Sequence, residues 1–375
     1  MITMPWKEST APNVMLEITD ACNVSCAFCY KKLHGRMRSL EDIRQDLDAA
    51  TKLRPLHTVT LTGGEPTMHP QLAEIISMIK ARDLHVFLLT NGMTFDQSTA
   101  KTLRQAGLDS ILFHVDHGQK RKDLPQDVTF EDIRKRLDTL TDIAHSAGLD
   151  VSISYTLDQY SQLDQIVPYF MNRHELSFLF LAKGVDAAAL HNCQCQHTSP
   201  LSTDAVIHYL DTHYGLAPYA DIPAQDGGPP IWLSFFMPYM WDGTKVNGFR
   251  VKSNWLDVLL MRTYAACTGR YMHKTSQKPA ITALRVFLNS ISTLHLNQLW
   301  PILKASCSRH NVIRHKMIVY DDGPRINDLG EIVHCDYCPT AIVRKGKLLP
   351  CCTADFGDHG QAAIKPAIRE EAITP

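Results

Sequence analysis

Apolar residues recur along the first half of the chain in two alternating rhythms. Short apolar runs at 14–19, 58–62, 85–90, 110–115, 151–156 and 177–181 read as strands. Between them, residues 40–53, 71–82, 95–106, 130–147 and 163–172 carry apolar side chains every three or four positions, the stripe of an amphipathic helix. Several of these stretches run into a glycine, as at Ala106-Gly107 and Ala147-Gly148, where a helix readily ends. Six apolar strands interleaved with helices predict a parallel sheet covered by helices, because such strands are buried on both faces. The expected fold class is α/β.

The second half is less regular. A polar loop starts at 191–195, and residues 223–230 (Pro-Ala-Gln-Asp-Gly-Gly-Pro-Pro) punctuate the chain. Residues 231–241 are rich in aromatics and read as core or as a contact between regions, with a pocket lining as the alternative. Segments 254–266 and 281–305 read as helices, and the last dozen residues as a frayed tail. No internal repeat is visible.

A length of 375 residues exceeds the usual single domain and suggests one large domain with an appendage. Net charge is 38 − 39 = −1, so there is no electrostatic footprint for nucleic acid or an anionic membrane. No apolar run approaches the ~20 residues that span a bilayer, and the first residues lack the apolar core of a signal peptide. Eleven cysteines in such a chain point to metal ligands in a reducing compartment rather than to disulfides. A cytoplasmic, oxygen-sensitive protein is expected.

The cysteines are not scattered. Cys22, Cys26 and Cys29 follow the first predicted strand with gaps of three and two residues. Three thiolates so close can hold a cube of four irons and four sulfides and leave one iron open. The second predicted strand ends in Gly63-Gly64-Glu65-Pro66. A zinc site completed by His34 is the competing reading of the cysteines, and it leaves the glycine loop unexplained. Together, C-x3-C-x2-C with Phe28 before its last cysteine, and GGEP after the next strand, closely resemble the radical S-adenosylmethionine (SAM) superfamily.

That resemblance implies a partial (β/α)6 barrel at residues 12–185, then a mixed, largely helical substrate or capping region at 186–310. A cysteine-bearing extension at 311–360 and a tail at 361–375 complete the expected layout. It implies that Cys22, Cys26 and Cys29 bind a 4Fe-4S cluster whose fourth iron is chelated by SAM. Reductive cleavage then gives methionine and a 5′-deoxyadenosyl radical, which takes a hydrogen atom from a substrate. Gly63 and Gly64 let the backbone approach the ligand, with Glu65 and Pro66 beside it, and Phe28, Asn91 and Ser154 are further SAM contacts. Where family members carry a small hydroxyl residue against the SAM ribose, this chain has His114. His114, Asp116 and His117 are therefore candidates to face SAM or the substrate. These positions lie at or just after the C-terminal ends of predicted strands, where parallel barrels gather their active sites.

A second cysteine group reads Cys335-Asp-Tyr-Cys338, then Cys351-Cys352. The spacing Cys335-x10-Gly346-x4-Cys351 is similar to the first half of the SPASM/twitch pattern that follows many radical SAM barrels. A hairpin at 342–344 and 347–349 is expected around Lys345-Gly346. The resemblance implies an auxiliary 4Fe-4S cluster on Cys335, Cys338, Cys351 and Cys352, with structural zinc as the alternative. Adjacent cysteines share one cluster poorly, so Cys193, Cys195, Cys267 or Cys307 could supply the fourth thiolate.

The implied activity is that of a radical SAM enzyme, with net oxidation of a modest-sized metabolite favoured and an electron donor such as flavodoxin or ferredoxin. A peptide-modifying maturase is a second reading. A non-catalytic zinc or iron–sulfur scaffold or regulator is a third, from another class.

Overall fold

The structure is a computed structural model that describes residues 1–185, 201–241, 246–249, 251–269, 279–294, 297, 299–300, 303, 312–327 and 329–355. Six strands form its centre: β1 (Asn13–Thr19), β2 (Thr58–Gly63), β3 (His85–Thr90), β4 (Ser110–His114), β5 (Asp150–Leu157) and β6 (Leu176–Lys183). They lie side by side in chain order, and all are parallel. β1 is buried at every residue, as a strand covered on both faces must be. The register stacks apolar residues: Val14 pairs with Val59, Val59 with Val86, Leu88 with Ile111, and Phe113 with Ile153.

Helices α1 (Leu40–Leu53), α2 (Leu72–Lys80), α3 (Gln97–Gln105), α4 (Phe130–Ser146) and α5 (Leu163–Asn172) connect them. Their starts are chemically marked. Ser39 accepts from the Asp42 N–H, Asp96 accepts from the Thr99 N–H, and Thr129 and Asp132 form a reciprocal capping box. Each βα repeat thus brings its strand out at the same edge of the sheet, which is where the site forms.

The sheet continues beyond the six strands. β7 (Ala220–Ile222), β8 (Trp232–Trp241) and β9 (Val312–Asp321) extend one edge, with β9 parallel to β6 and antiparallel to β8 along ten residue pairs. At the other edge, β10 (Ile342–Arg344) pairs with β1 at Ile342–Met15 and turns back as β11 (Lys347–Leu349). With Ile2–Thr3 and Val246–Gly248 the sheet has 13 strands. The aromatic run is mostly core: Phe235, Met237 and Tyr239 of β8 join the main apolar cluster.

Residues between β9 and β10 cross from one edge of the sheet to the other. On the way Cys335 bridges Ala224, the Asp336 N–H donates to the Pro223 carbonyl at 2.9 Å, and Tyr337 packs with Trp6, Ala11 and Ile222. The C-terminal cysteines therefore sit where the open sheet's two edges approach. β9 is anchored from behind by Lys316, whose buried Nζ donates to the Phe170, Arg173 and Leu176 carbonyls at 2.8, 2.6 and 2.8 Å. Those carbonyls lie at and just beyond the end of α5, where helix acceptors lack partners.

Helices α6 (Thr203–Tyr214), α7 (Trp255–Thr268) and α8 (Pro279–Ser292) complete the described elements used here. The stretch expected to be one helix to residue 305 breaks after Ser292, and the described residues 299, 300 and 303 are helical again. Thr293 folds back on the Asn289 carbonyl, and Leu294 takes a positive φ of 59°. Among the described residues no helix is long and apolar enough to cross a membrane.

Candidate active site

Strand ends assemble the site. β1 stops at Thr19, whose side chain accepts from the Ala21 N–H and donates to the Arg36 carbonyl. The chain then enters the cysteine loop, which is fixed from the far side. Ser25–Cys26 pairs antiparallel with Gln119–Lys120, and the Ala27 N–H donates to the Gly118 carbonyl at 2.8 Å. The loop after β4 thus holds the loop after β1.

Cys22, Cys26 and Cys29 line one cavity of about 170 Å³ together with Phe28, Gly63, Gly64, Glu65, Asn91, His114, Asp116 and Ser154. These residues come from the ends of five different strands. Pro66 and His117 do not line it, and His34 is exposed outside it. Tyr30, Lys31, Thr62, Gln119 and Thr156 also face the cavity. Sequence reasoning passed over these five. Tyr30 and Lys31 directly follow Cys29, and Gln119 becomes visible only through its pairing with Cys26.

The two glycines have a definite steric reason. A Cβ on Gly63 would stand 2.1 Å from the Thr19 carbonyl oxygen, and one on Gly64 would stand 2.2 Å from that of Ala21. Gly63 also has φ +141°. The loop is pinned to β1 by Gly64 N–H to Thr19 O at 2.9 Å and Glu65 N–H to Ala21 O at 2.7 Å. Glycine is needed first for this close approach of backbone to backbone.

Glu65 is 1% exposed, and its carboxylate is fully engaged. One oxygen accepts from the Thr67 N–H, the Thr67 hydroxyl and the Thr90 hydroxyl at 2.9, 2.6 and 2.6 Å; the other accepts from the Asn91 N–H at 2.7 Å. The side chain locks the β2 loop to the β3 loop. Asn91 continues the bracket by donating to Asn23 within the cysteine loop at 2.7 Å. Phe28 fits between Gly118 and Gly184, where any Cβ on Gly184 would meet its ring at 3.1 Å.

His114 Nε2 lies 2.6 Å from Asp116 Oδ2 and 3.3 Å from the Thr156 hydroxyl. Asp116 is buried and also accepts from the Gly118 and Thr156 N–H groups. Burial works to raise its carboxyl, but the neighbouring His114 and the Thr156 hydrogen bonds hold it below the usual carboxylate range. A carboxylate partner requires a proton on Nε2, and in the neutral ring Nδ1 is then the acceptor. His117 instead bonds the Tyr155 hydroxyl, and burial lowers its pKa.

The thiols resist ionisation on their own. Burial raises Cys22, and burial followed by the Asp116 charge pushes Cys26 up to about 12. Thiolates in such surroundings form against a cation, as in a metal centre. Among the described residues no three histidine, cysteine, aspartate or glutamate side chains converge as a single metal ion would need. Three thiols that line one cavity can each meet a different iron of a cluster.

The C-terminal cysteines form a second group. Cys335, Cys338, Cys351 and Cys352 line a small cavity with Asp321, Trp232, His334 and Thr340. The Thr340 hydroxyl lies 3.3 Å from Cys351 Sγ and 3.9 Å from Cys338 Sγ. Cys351 brings Cys338 well above its ordinary range by hydrogen bonding and burial adds to it, while burial and the Asp321 charge do the same for Cys335. Of the alternative ligands, Cys267 is exposed on α7, and Cys193, Cys195 and Cys307 lie outside the described residues.

A profile of the Radical SAM superfamily matches residues 16–159, which span β1 to β5 and hold the whole first cysteine site. Residues 16–159 are a radical SAM domain. That family works with a 4Fe-4S cluster and SAM, and the cysteine loop, glycine bracket and cavity described above fit both. The chain is 28% identical over 189 residues to a tungsten-containing aldehyde ferredoxin oxidoreductase cofactor-modifying protein of Pyrococcus furiosus, covering 47% of this chain and 50% of that protein. It is 34% identical over 113 residues to a probable GTP 3′,8-cyclase of Pyrococcus horikoshii, covering 29% and 36%. The chain thus spans half or less of the length of these radical SAM relatives. Among solved structures, Streptococcus suis SuiB bound to its precursor peptide aligns with a TM-score of 0.43 at 15% identity, over 55% of this chain and 46% of that chain.

Proposed function

We propose that the chain is a radical SAM enzyme that oxidises a modest-sized metabolite. The observation that carries this reading is convergence: Cys22, Cys26, Cys29, Gly63, Gly64 and His114 come from separate strand ends and line one cavity. When bound there, the cluster and SAM supply one-electron cleavage of SAM and, through it, hydrogen-atom abstraction from a substrate.

The protein's own part is positioning. Cys22, Cys26 and Cys29 hold three irons. The Gly63–Gly64 loop, fixed by Glu65, would hold the methionyl end of SAM. Phe28 would wall the cluster side, while Asn91 just after β3 and Ser154 within β5 flank His114 of β4. His114, held by Asp116, presents its Nδ1 as an acceptor for a hydroxyl or amine of the bound molecules. Apolar neighbours such as Leu89 and Leu112 line the same cavity and keep water from the reacting atoms.

Cys335, Cys338, Cys351 and Cys352 would hold an auxiliary iron–sulfur cluster. A second redox centre beside the first favours net oxidation, because it gives the electron left on the substrate somewhere to go.

Iron and acid-labile sulfide per chain, measured after anaerobic reconstitution, test this arrangement. About eight of each is the expected result, falling to about four in Cys351→Ser. About four in the unaltered chain would overturn the auxiliary cluster, leave the C-terminal cysteines as zinc ligands or plain structure, and shift the reading to redox-neutral radical chemistry.

A further inference from the structure

Four charged side chains from four segments meet between the two cysteine sites. Glu17 belongs to β1, Lys31 follows Cys29 by two residues, Arg344 ends β10, and Asp355 follows Cys352 by three. Arg344 donates to Glu17 at 2.7 Å, to the Ala354 carbonyl at 2.9 Å and to Asp355. Lys31 pairs with Glu17 and lies 4.0 Å from Asp355. The Lys32 N–H closes the set by donating to Asp355 at 3.0 Å.

These charges are mostly withdrawn from water. The side chains of Lys31, Glu17 and Asp355 are 8%, 11% and 10% exposed, against 32% for Arg344. Two cations facing two carboxylates balance. Taking one away leaves an uncompensated charge in a low-dielectric place, which forces its partners to move. Lys31 also lines the cavity of the first site. One short stretch, Cys29 to Lys32, therefore carries a cysteine of the first group and bonds Asp355, three residues beyond the second.

We propose that this ion network couples the two cysteine sites, so that metal held by the C-terminal cysteines sets the loop after Cys29 and tightens SAM binding at the first site. The proposal rests on the reading of the first cavity as a SAM site. Lys31, Arg344 and Asp355 are positioning residues in it: none is a metal ligand. Coupling is reciprocal, so SAM must strengthen metal retention at the C-terminal site by the same factor.

The test uses the full chain, anaerobically reconstituted, with SAM as the probe. Equilibrium dialysis gives its dissociation constant, and amide exchange at Lys32 reports the network directly. Cys351→Ser should weaken SAM binding about fivefold or more. Asp355→Asn should do the same while keeping its full C-terminal metal content. The double variant should be no weaker than the weaker single variant, because both break one linkage. Lys32 exchange should quicken in all three. SAM affinity within about twofold of the unaltered chain in both single variants, or effects that simply add, would overturn the coupling. Should Asp355→Asn fail to fold, Lys32 exchange in the unaltered chain with and without C-terminal metal decides the matter, and equal rates overturn the proposal. An unaltered chain that binds no SAM would instead strike the reading of the first site.

Discussion

Glu65 shows how one side chain can fix the loops around a cavity. Its two oxygens collect four donors from the loops after β2 and β3, at 1% exposure. Glu65→Gln keeps the shape but turns one acceptor into a donor that faces other donors. The expected cost is about 2–3 kcal/mol, read as a lower urea midpoint at unchanged slope. A shift under about 0.5 kcal/mol would mean that the bracket is solvated and replaceable. The glycines at 63 and 64 belong to the same logic. Their presence was legible in the sequence. Their reason, contact with the Thr19 and Ala21 carbonyls, was not, because a close approach between two loops leaves no local mark beyond the glycine itself. The His114–Asp116 pair was legible as two candidate residues two positions apart; which ring nitrogen meets the carboxylate needed the fold.

At the scale of elements, the hairpin of β10 and β11 carries the clearest local signature. Lys345 and Gly346 have φ of +51° and +73°, the pair of positive values that a two-residue turn matched to strand twist requires. Nothing lies within 4 Å of a Cβ placed on Gly346, so Gly346→Ala changes backbone strain alone. It should destabilise the hairpin by about 1 kcal/mol. The measurement is amide exchange at Ile342–Arg344, where faster exchange is expected and unchanged exchange would contradict the turn geometry. The hairpin and the six central strands were readable from apolar runs bounded by turn residues, because buried parallel strands advertise themselves in this way. β8 and β9 were not readable as members of the same sheet. Hydrophobic periodicity names a strand but not its neighbour, and β8 and β9 pair residues 71 to 89 positions apart, from Trp241 with Val312 to Trp232 with Asp321.

The whole molecule is an open sheet whose edges are brought together by its own C-terminal third. β9 extends one edge, β10 caps the other, and the cysteine-bearing connection passes between them. This arrangement explains why two cysteine groups some 300 residues apart in the chain share a buried ion network. None of that was legible beforehand, since Glu17, Lys31, Arg344 and Asp355 look like ordinary surface charges until the sheet edges are placed. On the proposed function, the first cysteine site is the seat of the chemistry and the second its support. The most direct test of that claim is the formation of 5′-deoxyadenosine and methionine from SAM by the reduced, reconstituted chain, compared with Cys26→Ala. The account predicts both products from the unaltered chain and none from Cys26→Ala, with the variant's C-terminal metal retained. Cleavage that survives in Cys26→Ala, or no cleavage by an iron-loaded unaltered chain, would contradict it.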